Sequence, residues 1–192
     1  TLNRKQYASS GSLTLLSLSY INGDEDYRPG SVSVVPALNN KRREWLAFRM
    51  TSDRYFTISK KYSFGYAAEA LLSNQPAFAT YKSSLVEQPA AYPLIDSRSL
   101  FLANFRAYNF INVGLRNVYT FRRNLDFRVE GYGFIPFDQL QEGFNQQAAV
   151  TEPSQYFRLA ATACAIYRSI IGPIGLSVNY YDQEGRVIRM AS

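Results

Sequence analysis

The stretch from Ile111 to Phe134 constrains the fold more than any other, because it contains two alternating segments joined by a short polar turn. The second segment carries a charge at every second position from Asp126 to Glu130, with apolar residues between the charges. A period of two is typical of β-strands. Charges in mid-strand indicate a sheet with one face in an apolar medium and the other in water or a polar lumen. In the first segment the apolar face comprises Ile111, Val113, Leu115, Tyr119 and Phe121.

Residue usage excludes several classes of active site. The chain has no histidine, so a Ser-His or Cys-His mechanism is excluded within it, as is the commonest metal ligand. Cys164 has no partner for a disulfide and lies in an apolar run, which indicates a buried or lipid-facing side chain rather than a reactive thiol. No cofactor or metal is expected, and an active site built on histidine or on a reactive cysteine is not expected either.

Composition and hydropathy favour a β-rich chain of one domain, residues 1–192. Aromatic residues make up 15% of the chain and the mean hydropathy is -0.23, which suits alternating strands better than a helical membrane protein. No apolar run of about 18 residues could form a transmembrane helix. The start has no apolar segment typical of a signal peptide, so we expect a mature or excised piece. The net charge of +6 is scattered singly or in pairs, so nucleic acid is not expected as a partner.

Alternation predicts seven strands, and the connections between them are long and short in turn. The short connections are 57–61, 122–124 and 169–173, and the long ones are 22–43, 74–97 and 135–155. Such asymmetry is typical of bacterial outer-membrane barrels. It requires Ser99 to Phe121 to be one strand, and the alternation shifts phase near Asn109 and Phe110, which indicates a bulge there. The AAEALL segment in the third strand could also form a helix, but the aromatic alternation before it favours a strand. The predicted strands are near 11–21, 45–56, 62–73, 99–121, 125–134, 156–168 and 174–181.

The expected fold class is all-β: an antiparallel transmembrane β-barrel segment. An up-and-down barrel needs an even number of strands for its first and last strands to pair antiparallel. With seven strands, we expect the closing strand to be missing after Tyr181 and further strands to lie upstream of Thr1.

Short phrases throughout the chain carry a family resemblance. The segment GPIGLSVNYYD (Gly172 to Asp182) resembles the carboxy-terminal barrel of patatin-like phospholipases from Bacteroidetes-type bacteria. Other phrases are similar to the same region, in the same order along the chain: NRKQYA (Asn3 to Ala8), GDEDYRPGS (Gly23 to Ser31), LLSNQPAF (Leu71 to Phe78), AYPL (Ala91 to Leu94), LFLANFRAY (Leu100 to Tyr108) and RRNLDFRVEGY (Arg122 to Tyr132).

The resemblance implies a parent protein with an amino-terminal patatin domain, a small POTRA-like module and a sixteen-stranded Omp85-like barrel in the bacterial outer membrane. This chain would be about half of that barrel. The family's G-x-S-x-G elbow and D-G-G/A motif, which hold its Ser-Asp dyad, do not occur in the chain. The segment is therefore expected to be non-catalytic and to anchor, or help export, the lipid acyl hydrolase of its parent.

The implied partners are outer-membrane lipid and the remainder of the parent chain, and homo-oligomer formation stays open. One alternative function is an Omp85-type transport or assembly barrel without a hydrolase. Another is a soluble, Tyr-rich β-sandwich that binds carbohydrate or a partner protein.

Charged residues on the polar strand faces are the candidate functional residues. We favour a lumen lined by charges that pair with one another. Two other hypotheses are a selectivity lining or contact with an inserted plug loop, and a catalytic carboxylate pair. The lumen-facing candidates are Arg49, Glu69, Arg106, Arg116, Asp126, Arg128, Glu130 and Arg158.

Two further clusters have a structural and a functional interpretation. The carboxylates of Asp24, Glu25 and Asp26 could bind Ca²⁺, but solvated acidic residues on an extracellular loop are the favoured interpretation. Aromatic residues near strand ends are expected to form interfacial girdles rather than a stacking platform for a ligand. These aromatic residues are Tyr62, Phe64, Tyr66, Tyr119, Phe121, Phe127 and Tyr180.

Overall fold

The structure is a computed structural model, and it describes residues 1–4, 7–31, 33, 35–151, 156–182 and 186–187. Most of these residues lie in antiparallel strands, which confirms the all-β prediction. The helical elements are α1 (Tyr81–Glu87) and the 3-10 turns Asp96–Arg98, Ala103–Phe105 and Phe144–Gln146. The strands are β1 (Gly11–Tyr27), β2 (Leu38–Thr57), β3 (Tyr62–Ser73), β4 (Phe110–Arg122), β5 (Leu125–Pro136), β6 (Gln139–Glu142), β7 (Ala148–Thr151), β8 (Tyr156–Ser169), β9 (Gly172–Tyr181) and β10 (Arg186–Val187).

Seven long strands of the described chain form one antiparallel sheet in the order β1-β2-β3-β4-β5-β8-β9. The short strand β10 pairs with the start of β8, and β6 and β7 form a separate hairpin. Within the described residues β1 and β9 do not pair with each other, so the sheet is open. The expectation about the closing strand falls largely on residues 183–185 and 188–192, which lie outside the described residues.

One face of the sheet, called the outer face below, is apolar across all seven strands. Leu18 of β1 lies opposite Phe48 of β2. At the other edge of the sheet, Leu176 of β9 lies opposite Ala165 of β8. Alternating apolar residues therefore fall on one surface. Leu18 and Leu176 are 73% and 78% exposed, so no described element packs over them. Large exposed members of the face are Leu16, Leu46, Met50, Leu72, Val113, Leu115, Tyr119, Phe127, Val129, Ile174, Val178 and Tyr180.

The other face, called the inner face, carries the core. Phe105, from a 3-10 turn, packs against Phe134 of β5 with ring centroids 5.6 Å apart, and Phe134 packs against Phe110 of β4 at 5.1 Å. Each of these three rings is 1% exposed or less. Leu94 joins the same cluster. The core thus forms between the sheet and the connection from β3 to β4.

The predicted start of the strand 99–121 is wrong, because β4 begins at Phe110. The residues before it pair with the preceding part of the same connection: the Ala91 amide donates to the Phe105 carbonyl, and Ala107 to Pro89. Phe105 is drawn into the core, which diverts the chain from the sheet. Arg106 consequently lies on this connection and not on a strand face. The predicted bulge at Asn109 lies just before β4, which is a single strand from Phe110 with a continuous register to β3.

Each long connection contains more structure than was predicted. Residues 22–43 are mostly extensions of β1 and β2, because Asp24 lies opposite Arg42 and Glu25 opposite Lys41 in a continuing ladder. The connection after β3 contains α1, whose start is capped by the Thr80 hydroxyl. The connection after β5 contains the β6–β7 hairpin. The AAEALL segment is a strand, as predicted.

Candidate functional site: a charged network on the inner face

The structure places the predicted charged residues on the inner face, with Arg106 as the exception described above. They do not form one site. Arg116, Arg128 and Glu130 belong to a central network, Arg49 pairs with Glu69 beside it, and Asp126 pairs separately at the end with short connections. Arg158 is 7% exposed and lies opposite Phe134 at the end with long connections.

Arg116 of β4 is the centre of the network. Its Nη1 lies 2.7 Å from Asp53 Oδ1 and 3.0 Å from the Tyr55 hydroxyl, and its Nε donates to the Tyr132 hydroxyl at 2.6 Å. The Tyr132 hydroxyl in turn donates to Glu130 Oε2 at 2.7 Å. The guanidinium therefore joins side chains from β2, β4 and β5.

Arg128 connects the network to the amino-terminal segment. Its Nε lies 2.9 Å from Glu130 Oε1, and its Nη2 donates to the Tyr55 hydroxyl at 3.0 Å. Its Nη1 donates to the Ala8 carbonyl at 2.7 Å, and its guanidinium carbon lies 5.9 Å from the centre of the Tyr7 ring. Residues before β1 are thereby held against the inner face.

Two glycines let the tyrosines reach Arg116. A Cβ at Gly65 would lie 2.6 Å from Tyr55 Cδ1, and one at Gly114 would overlap the Tyr132 ring. Each ring lies flat across the glycine opposite it on the next strand, which brings both hydroxyls to the same guanidinium. Glycine on these strands is therefore needed for close approach of a neighbouring ring.

Charges in the central network balance, with two arginines and two carboxylates. The side chains of Arg128 and Glu130 are 3% and 12% exposed, so removing either partner would leave a charge with little water around it. Both Glu130 oxygens accept hydrogen bonds from neighbours, so this carboxylate is not placed as a free general base. The arrangement supports the hypothesis of mutually paired charges.

The other candidates also form pairs. Arg49 Nε lies 3.1 Å from Glu69 Oε1, and Arg49 Nη2 donates to the Ala90 carbonyl at 2.8 Å. The carboxylate of Asp126 is fully buried and pairs with Arg168, and it accepts a hydrogen bond from Thr120 at 2.9 Å.

The segment 89–98 of the β3–β4 connection crosses the inner face. Arg49 of β2 donates to the Ala90 carbonyl of this segment, and the Asn179 amide of β9 donates to the Asp96 carboxylate. A cavity of about 250 Å³ lies between this segment and the network, and one of about 800 Å³ lies between it and β1. Arg49 thus contacts the segment that crosses the inner face.

Sequence reasoning missed Asp53, Tyr55 and Tyr132 as members of the network. Asp53 and Tyr55 are in phase with Arg49, and Tyr132 is in phase with Glu130, so each tyrosine stands on the polar side of its strand. A tyrosine on the polar side of a strand could have indicated membership of the network, since a buried tyrosine hydroxyl needs a hydrogen-bond partner.

Two carboxylates of the acidic cluster at 24–26 are bonded within the protein. Glu25 pairs with Arg43 at 2.6 Å and also accepts a hydrogen bond from the Ala79 amide at 2.6 Å. Asp26 accepts from the Asn40 amide at 2.7 Å. Across the described residues, no group of three or more His, Cys, Asp or Glu side chains could hold a metal ion.

The seven predicted girdle residues share the outer face. Tyr62 lies opposite Tyr119, which lies opposite Phe127 on β5, so an aromatic row crosses three strands near the short connections. Their role as interfacial residues stays a prediction. In the part of the chain that the structure describes, no helix is long and apolar enough to cross a membrane.

No protein-family model, curated protein or solved structure matches the chain. The resemblance to patatin-like phospholipases therefore stays a prediction from the sequence.

Proposed function

We propose that the chain is a non-catalytic segment of a bacterial outer-membrane β-barrel that anchors, or helps export, a patatin-like lipid acyl hydrolase of the same parent chain. The observation that carries the membrane role is the outer face, which is apolar and exposed across seven neighbouring strands. The charged candidates lie on the opposite face.

An exposed apolar surface of this extent needs a covering. Soluble monomers rarely expose a contiguous apolar patch larger than a few hundred Å², whereas lipid chains remove such a surface from water at a gain of about 25 cal/mol per Å². The strands of the sheet run from 10 residues in β9 to 20 in β2, and about 9–11 tilted residues cross a bilayer.

The open edges of the sheet bear on the size of the barrel. In lipid, an unpaired edge would leave the backbone amides and carbonyls of β1 and β9 without partners, so only a closed barrel is stable there. We therefore propose that both edges pair with other strands of the parent chain. This agrees with a sixteen-stranded barrel of which the chain supplies about half.

The connections define an orientation. Three short connections lie at one end of the sheet: residues 58–61, 123–124 and 170–171. The three long connections lie at the other end. In bacterial barrels short turns face the periplasm and long loops face outside. We propose the same orientation here.

A lipid-contact measurement tests the membrane role. Single cysteines replace Leu176, Ser177 and Val178 of β9 in a Cys164→Ser background of the parent protein, and each carries a fluorophore. With nitroxide-bearing lipids in the vesicles, positions 176 and 178 should be quenched more than position 177, because only they lie on the outer face. Equal quenching at all three, or recovery in the aqueous fraction without detergent, would reject the proposal and favour a soluble sandwich.

The hydrolase part has a separate test. The reading frame upstream of Thr1 should encode a G-x-S-x-G elbow followed by a D-G-G/A motif, and replacing that serine by alanine should abolish lipid hydrolysis without changing membrane insertion. A membrane-inserted parent without these motifs would instead be a transport or assembly barrel.

A further inference from the structure

Five cations gather at the end of the sheet with short connections. Arg54 lies near the end of β2, Lys60 and Lys61 lie in the turn from β2 to β3, and Arg122 and Arg123 lie at the turn from β4 to β5. All five are exposed. Among the described residues, none of them forms an ion pair. We call these five residues the short-turn rim.

Backbone hydrogen bonds make the rim one continuous surface. The Thr120 amide donates to the Lys61 carbonyl at 2.7 Å, which joins the first short turn to the end of β4. The Arg168 amide donates to the Asn124 carbonyl at 2.8 Å, which joins the second turn to β8. Pairs of cations that are far apart in the sequence are therefore brought side by side.

The charge of the rim is not cancelled locally. Asp53 and Asp126 are the described acidic residues nearest to it in the strands, and they point to the inner face and pair with Arg116 and Arg168. The opposite end of the sheet differs, because basic and acidic residues alternate there, as in the pairs of Arg43 with Glu25 and Arg42 with Glu44. The rim cations are thus not neutralised by ion pairs within the described residues, whereas cations and carboxylates are interspersed at the opposite end.

Apolar side chains stand beside these cations. Ile58 is 65% exposed in the first short turn, and Ile170 and Ile171 are almost fully exposed in the third. The ring of Phe121 is 60% exposed on the adjoining outer face. Cations and exposed aliphatic side chains thus lie together at the border of an apolar surface. This arrangement is suited to the boundary between lipid chains and headgroups.

We infer that the short-turn rim binds the phosphate-bearing headgroups of anionic phospholipids in the leaflet next to it. The inference rests on the proposed function, since it requires the outer face to lie in lipid. Cations held at the height of the headgroups attract a negatively charged surface. The exposed isoleucines and the continuous apolar face favour a lipid surface over an acidic polypeptide, which has no apolar chains to cover them.

Competition between lipids at the protein surface tests the inference. The parent protein is reconstituted in phosphatidylcholine vesicles that contain a minor fraction of phosphatidylglycerol, and spin-labelled forms of each lipid report their relative association. The wild type should prefer phosphatidylglycerol. The double variant Lys61→Gln/Arg122→Gln should reduce this preference about two- to threefold, as should high salt, which screens the attraction.

Two further variants control for charge and for folding. Lys41→Gln/Arg42→Gln also removes one lysine and one arginine, but at the opposite end, and should leave the preference unchanged. Lys61→Arg/Arg122→Lys keeps the charge and should keep the preference. Resistance of the barrel to SDS before heating shows that each variant is folded.

The outcomes separate this inference from the proposed function. A parent protein that inserts into vesicles but shows no preference for phosphatidylglycerol overturns the inference alone, and so does an equal loss in the Lys41/Arg42 control. Binding of poly-glutamate on pure phosphatidylcholine vesicles, lost in Lys61→Gln/Arg122→Gln without any lipid preference, would reassign the rim to an acidic polypeptide. Failure to insert into any vesicle overturns the proposed function itself.

Discussion

At the scale of single residues, the inner face shows how buried charge is tolerated in a sheet. Arg116 and Arg128 each bond to a carboxylate and a phenol, so desolvation of the guanidinium groups is offset by several hydrogen bonds. The phenols reach them because Gly65 and Gly114 have no side chain. The network therefore depends on residues with no charge as much as on its ion pairs.

Gly114→Ala should destabilise the folded protein by about 1–3 kcal/mol, because the new methyl group overlaps the Tyr132 ring in a packed site. The urea midpoint for loss of the SDS-resistant form measures the effect. Gly131→Ala is the matched control, since a Cβ at that outer-face position meets nothing within 4 Å. An equal shift for both substitutions would contradict the role of close ring approach.

Glu130→Gln should cost about 3–5 kcal/mol of stability, because it leaves two arginines of the inner face facing a neutral amide. The same unfolding measurement applies. Glu44→Gln removes a carboxylate from the exposed pair with Arg42 and should have no measurable effect. If Glu130→Gln left both stability and the activity of the parent unchanged, the network would have neither a structural nor a functional role.

Tyr108 should make stability depend on pH at high pH. The side chain lies in the β3–β4 connection, and burial raises the pKa of its hydroxyl to about 12 from its ordinary value of 10.0. The unfolded chain ionises first, so the stabilisation is complete below about pH 10 and is lost as the pH rises through 12. As the pH is raised from below to above 10, the unfolding midpoint should fall less in Tyr108→Phe than in the wild type. Tyr92→Phe changes an exposed tyrosine, and its midpoint should fall as much as in the wild type.

At the scale of elements, polar sequence proved to be a poor indicator of loops. The first hairpin continues to Tyr27 and begins again at Leu38, because oppositely charged residues face each other across the ladder and backbone bonds do not require apolar side chains. Its Glu25 also holds the Ala79 amide just before α1. The extended hairpin thus supports the start of the β3–β4 connection.

Glu25→Gln should loosen residues 78–87, because it removes the charge that bonds both Arg43 and the Ala79 amide. Hydrogen exchange of this peptide measured by mass spectrometry should rise, while peptides from β4 and β5 keep their protection. Asp24→Asn changes an exposed acidic neighbour in the same strand and should leave exchange as in the wild type. Faster exchange throughout the sheet would indicate general destabilisation instead.

At the scale of the whole molecule, the sheet has two faces and two ends that differ: the outer face is apolar, the inner face is charged, and the two ends carry connections of different length. The inner face is partly filled by segment 89–98 and by the residues before β1. At the end with short turns, none of the cations of the short-turn rim forms an ion pair with a described residue. The two ends of the sheet can therefore be told apart, as can its two faces.

The difference between the two ends predicts that the end with long connections faces the outside of the cell. In a Cys164→Ser background of the parent protein, Ser31→Cys lies in the β1–β2 connection and Ser59→Cys in the short turn after β2. A membrane-impermeant maleimide should label only Ser31→Cys on intact cells and both variants after the outer membrane is opened. Labelling of Ser59→Cys alone on intact cells would reverse the proposed orientation.

The sequence by itself determined the seven strands and the two faces of the sheet. A period of two specifies the side of each residue, and short polar turns specify which strands are neighbours. The same period places Arg49, Glu69 and Glu130 on the polar side of their strands. Element ends were less certain where apolar residues such as Phe101 and Phe105 occur outside the sheet.

Only the tertiary structure decided which inner-face groups meet. Tyr55 reaches Arg128 across two intervening strands, and Asp96 reaches Asn179 of β9, and neither contact follows from local spacing. It likewise decided that Lys61 and Arg122 belong to one surface, because strand pairing joins turns that are about 60 residues apart. Periodicity is a property of neighbours along the chain, whereas the network, the inserted segment and the short-turn rim depend on distances across the sheet.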